Sequence, residues 1–166
     1  MLFLLLVGAL MSSGCSSETI DEEAYRDLEI WSGSVAALMG QVVEDLDTVM
    51  NDPEAPDFLA SAHLGNMQGY IEGRNDMASG RQVRSWTIER PNSEGTRTVS
   101  GAEFEAVLEG LYASLETILD VAQRVQDPQL RNDPSLREAL DEATRQVAES
   151  RGQYRSVMFG DEAAGG

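Results

Sequence analysis

Apolar residues recur at intervals of three and four over most of the chain, the period of an amphipathic helix. The first such stripe is Leu28, Trp31, Val35, Leu38, Val42, Leu46 and Val49. Thr19 with Glu22 three residues on makes a capping box ahead of it, and Asn51-Asp52-Pro53 ends it, which predicts a helix over 21–50. A second, weaker stripe of Ala60, Leu64, Met67 and Ile71 predicts a helix over 57–75. The third is the most regular: Phe104, Leu108, Leu111, Leu115, Ile118, Ala122 and Val125. Ser100 and Glu103 form its capping box and Val99 with Phe104 a hydrophobic staple, which places a helix over 101–126. Asp133-Pro134 opens a fourth over 134–158, carrying Leu136, Leu140, Ala143, Val147, Tyr154 and Val157, with Ser150 interrupting the stripe.

The texture changes between the second and third helices. Residues 82–90 are rich in strand-forming types, a polar loop of PNSEG follows, and TRTVS completes a β-hairpin over about 82–100. The fold expected is all-α: an antiparallel four-helix bundle with a small β-hairpin between helices 2 and 3. Short polar connections containing proline favour antiparallel neighbours. The helical domain covers 20–159, and the glycine-rich end at 160–166 is expected to be a disordered tail.

One further apolar run does not fit the bundle. Residues 1–11 read MLFLLLVGALM, too short to span a bilayer, which takes about 20 residues, but the length of a secretory signal core. Ser12, Ser13 and Gly14 follow, then Cys15, the single cysteine of the chain, and then a polar, acidic stretch. This arrangement resembles bacterial lipoprotein precursors, in which an apolar run ends in small residues before an obligatory cysteine. Two features depart from the pattern: Ser12 stands where leucine is usual, and no Lys or Arg precedes the apolar run. The resemblance covers residues 1–15. It implies removal of residues 1–14, acylation of Cys15, and residues 15–19 as a short tether to a membrane. It also implies an address: Ser16, rather than Asp, after the cysteine favours the outer membrane, facing the periplasm, if the host has one. A plain secretory signal with an unrelated cysteine is the competing reading. A lone thiol in an oxidising compartment is a liability that acylation removes.

Charge narrows the partners. Twelve arginines and no lysine stand against 29 acidic residues, a net charge of −17. That excludes nucleic acid as a natural partner and gives no electrostatic adhesion to anionic lipid. The balance is uneven: residues 74–100 hold five arginines against Asp76, Glu89 and Glu94. Arg84, Trp86, Ile88, Arg90 and Arg97 in this segment are the candidate contact surface, for a protein or anionic partner of the envelope. The alternative is that these arginines pair with the acidic helices while Trp86 packs the hairpin on the bundle.

Candidate chemistry is sparse. His63 is the single histidine and stands four residues before Met67, a pair that could ligate haem or copper inside a bundle. A histidine at the edge of the Leu64–Met67–Ile71 stripe explains the same spacing. The chain has no CxxCH, HExxH, GxSxG, P-loop, GxGxxG or CxxC motif, and no cofactor is expected. Ser61, Gly65, Gly69 and Gly73 repeat every four residues, a smooth helical ridge expected to receive Gly33, Ala37 and Gly40 of helix 1; a loop over 65–75, or a groove or oligomer contact, are the other readings. The functional expectation is a lipid-anchored interaction or structural module of the cell envelope rather than an enzyme. A metal- or haem-binding bundle and a hydrolase with a dispersed site are its rivals.

Overall fold

The computed structural model describes residues 22–52, 54–78, 85–89 and 96–160. Most of them are helical, as the periodicity demands. The elements are α1 (Glu22–Asn51), α2 (Phe58–Ser61), α3 (Leu64–Ala78), β1 (Ser85–Glu89), β2 (Thr96–Ser100), α4 (Gly101–Val125) and α5 (Pro134–Phe159). Residues 1–21, with the Thr19 cap, the signal segment and Cys15, lie outside the described residues, as do Arg84, Arg90 and residues 161–166.

The core is built from the expected stripes. Every residue of the α4 stripe, from Phe104 to Val125, is at most 1% exposed. Around α4 pack Leu28, Trp31, Val35, Met39, Val42 and Leu46 of α1, Met67 of α3, and Leu136, Leu140, Ala143 and Val147 of α5. Leu38 is only partly buried and Met39 takes the inward position beside it. Ser150 stays on the core face of α5 at 5% exposure, a small residue facing Gly110 of α4. A Cβ built on Gly110 would lie 3.8 Å from Ser150 Cβ. The Ser114 hydroxyl donates to the Gln146 carbonyl of α5 at 3.2 Å, so this polar group is satisfied inside the core.

Three contacts fix how α1 meets α5. Gly33 lies against the Tyr154 hydroxyl, Gly40 against the Arg151 guanidinium, and Arg137 donates to Asn51 and the Met50 carbonyl. The early turns of α1 therefore adjoin the last turns of α5. Similarly, α3 begins beside the far part of α1 (His63 to Asp45) and passes Trp31 at Tyr70. It ends beside the first turns of α4, where Arg74 meets Glu105 and Glu109.

The ends of α4 and α5 follow their caps. Ser100 accepts from the Glu103 amide while the Glu103 carboxylate takes the Ser100 amide. Val99 and Phe104 of the staple are both buried. Asp133 caps α5 by accepting from the Ser135 amide at 2.8 Å, with proline in the first turn. Gly160, at φ 79°, closes α5 in a backbone region that residues with a Cβ rarely adopt.

The second predicted helix is two pieces. A turn at Ala62–His63 separates α2 from α3. At this break the Gln126 side-chain amide donates to the Ala60 carbonyl at 2.6 Å, at the acceptor that a continuous helix would offer to residue 64. Asp57, at the head of α2, is held by Arg131 at 2.7 Å. Of the strand expected at 82–90, residues 85–89 are described and form β1, which pairs antiparallel with β2.

Candidate functional site

The expected glycine packing is not what the structure contains. Residues 65–75 are helical, but a Cβ added at Gly65 or Gly69 would meet nothing within 4 Å. The glycines of α1 face α5 instead, where Gly33 and Gly40 receive the ends of Tyr154 and Arg151. The ridge expected to dock on α1 is thus open at these two positions, and of the three readings weighed it is the groove that fits. Asp27, Ile30, Trp31 and Ser34 of α1, with Gly69, Tyr70 and Gly73 of α3, line an open groove of about 370 Å³. Trp31 forms its wall: the ring is in the core at 3% exposure and its Nε1 donates to the Tyr70 carbonyl at 2.9 Å. Ile30 stands 61% exposed at its edge. A second open depression, about 410 Å³, lies between α4 and α5 and is bordered by Glu116, Asp120 and Glu142.

His63 and Met67 do different things. His63 Nε2 sits 2.8 Å from Asp45 Oδ2, in a partly buried pair that bridges the α2–α3 turn to α1. Met67 is 1% exposed within the core. Among the described residues no three His, Cys, Asp or Glu side chains come together as metal ligands would.

Arg74, grouped in sequence with the cationic segment, is buried at 6% exposure and ties α3 to α4 through Glu109 at 3.2 Å and Glu105 at 3.8 Å. Its Nε is buried without a hydrogen-bond partner. One member of the cationic group is therefore a packing residue, as the competing reading of that group has it. Of the candidate contact surface, Arg84 and Arg90 are outside the described residues. Trp86, Ile88 and Arg97 are described in their backbone, where Trp86 pairs with Val99 and Ile88 with Arg97. Cys15 is also outside.

Among the described residues, the shifted titrating groups include Tyr154, Asp133 and Glu142. Burial, with the Glu29 charge behind it, raises the Tyr154 hydroxyl above its ordinary range. The Ser135 amide lowers the Asp133 carboxyl, and hydrogen bonds from Gln146 and then Arg145 lower Glu142. All three belong to helix ends and helix contacts rather than to one cluster. Sequence reasoning missed the His63–Asp45 pair and the Trp31–Tyr70 wall, which join residues 18 and 39 positions apart. The four-residue glycine spacing was the one signal that pointed toward the groove.

No protein-family model, no curated protein and no solved structure matches the chain.

Proposed function

We propose that the chain is a bacterial lipoprotein whose helical domain acts at a membrane surface as an interaction or structural module. The observation that carries this reading is the placement of the single cysteine: Cys15 follows directly on an eleven-residue apolar run and three small residues. Residues 1–14 are then the signal peptide and Cys15 the lipidated first residue of the mature protein. The described helices include none long and apolar enough to cross a membrane, so in this reading attachment falls to the lipid. With Ser16 next to the cysteine, the address is the outer membrane, facing the periplasm, where the host has one.

The body held there is an antiparallel four-helix bundle of α1, α3, α4 and α5 with a hairpin of β1 and β2. The paired contacts of Gly33 with Tyr154, Arg137 with Asn51, and Arg74 with Glu109 support that topology. A partner of the envelope, protein or anionic, meets the hairpin through Arg84, Trp86, Ile88, Arg90 and Arg97, supported by the excess of arginine over 74–100 in an otherwise acidic chain.

Mass spectrometry of the membrane-extracted protein tests the anchor: a first residue at Cys15 carrying acyl chains is expected, and Cys15→Ala releases the protein from the membrane. Mature protein with an unmodified Cys15 overturns the reading. Changing Arg84, Arg90 and Arg97 together to Gln tests the contact surface, through loss of partner recovery at unchanged thermal stability.

A further inference from the structure

Large apolar side chains that stay in water need an account when they gather on one part of a molecule. Three stand out as exposed among the described residues: Ile30 at 61%, Phe58 at 65% and Phe159 at 40%. Phe58 opens α2, beyond the end of α1. The other two lie toward the opposite end. Ile30 is in the early turns of α1, and Phe159 is the last residue of α5. Phe159 packs edge-on against Tyr154, with ring centres 5.8 Å apart, and Tyr154 in turn lies against Gly33. Since α5 runs from Asn51 at its start to Gly33 at Tyr154, Phe159, five residues further on, lies from the level of Gly33 toward the start of α1.

The length of chain before α1 matters here. Cys15 precedes Glu22, the first residue of α1, by seven positions. Fully extended, seven residues reach about 25 Å. The thirty residues of α1 extend about 45 Å. An anchor at Cys15 holds the start of α1 within about 25 Å of the bilayer, and Phe159 lies toward that end of the molecule. Phe58 reaches the bilayer only if the body tips back onto its far end. Tethering raises the effective concentration of the near end at the surface, without any new contact. An exposed phenylalanine is a side chain that an interface can accept, with its ring at the boundary of headgroups and acyl chains.

We infer that the end of the molecule formed by the first turns of α1 and the last turn of α5 is a membrane-docking surface, with Phe159 its apolar contact and the lipid bilayer its partner. The inference rests on the lipid anchor proposed above. The bilayer fits better than a second copy of the chain, since each copy carries a net charge of −17 and repels another. By the same charge, the surface suited to docking is zwitterionic rather than anionic.

The test uses the full acylated chain in phosphatidylcholine vesicles. Acylation occupies Cys15, so a thiol introduced by Phe159→Cys, or by Phe58→Cys at the far end, takes an environment-sensitive fluorophore alone. Both side chains are exposed, so neither change opens the core. Flotation with the vesicles comes first, then quenching by lipid carrying a nitroxide in its upper acyl chain. The expected result is flotation of both proteins, loss of fluorescence from position 159, and none from position 58. Flotation with no loss at 159, or with equal loss at both positions, overturns the docking surface while leaving the anchor intact. Failure to float overturns the anchor, and the docking surface with it.

Discussion

Single residues show which sequence features answer to packing and which do not. Three glycines at four-residue spacing in a helix should cost roughly 1 kcal/mol each relative to alanine unless something offsets them. Gly65 and Gly69 have open space where a Cβ would stand. Gly65→Ala and Gly69→Ala are therefore expected to stabilise the protein, each by up to about 1 kcal/mol, in urea unfolding. Gly33 is the contrast: a Cβ there would lie 3.1 Å from the Tyr154 hydroxyl, so Gly33→Ala gains less or loses. If Gly65→Ala destabilises instead, the groove side of α3 is covered by something. Tyr154 gives a pH prediction. Its hydroxyl is raised above the ordinary tyrosine value of about 10, chiefly by burial, so the fold prefers the neutral phenol. That contribution is complete below pH 10 and is lost as pH rises through the higher folded value. Melting temperatures followed from neutral to strongly alkaline pH should fall less steeply above pH 10 for Tyr154→Phe than for the natural protein.

Among the elements, α4 is the one whose every feature agrees. Capping box, staple and stripe are all present in sequence, and all are realised. Its neighbours α1, α3 and α5 each pack against it. Leu111→Ala and Leu115→Ala, both at fully buried positions, are expected to cost about 2–5 kcal/mol apiece by chemical denaturation. A cost near zero for either would mean that α4 is not the centre of the core. The opposite case is the segment from Phe58 to Ala78. Its apolar stripe is short, its glycines are many, and no side-chain cap holds the head of α2. This weakly specified helix is divided, and at the division the Gln126 amide meets the Ala60 carbonyl from elsewhere in the chain. Nothing within residues 57–75 could announce it, because the donor is 66 positions away.

At the scale of the whole molecule, charge dominates. A net charge of −17 on 166 residues opposes compaction by self-repulsion, and the ion pairs present, such as Arg131–Asp57 and Arg74–Glu109, neutralise only part of it. Salt screens the repulsion, with a Debye length falling from about 30 Å at 0.01 M to about 3 Å at 1 M. The melting temperature is expected to rise between those two sodium chloride concentrations. A fall would mean that the attractive pairs outweigh the repulsion. The sequence by itself determined the helical class, the end of α1 and the limits of α4 and α5 to within a residue or so, and the core of α4. These depend on local period and local caps, which a chain carries in its own order of residues. The tertiary structure alone decided the break at Ala62–His63, the burial of Arg74 between two glutamates, the pairing of His63 with Asp45, and the open face of the glycine ridge. Each depends on which distant segment arrives beside it, and spacing along one helix says which residues share a face but not what that face meets.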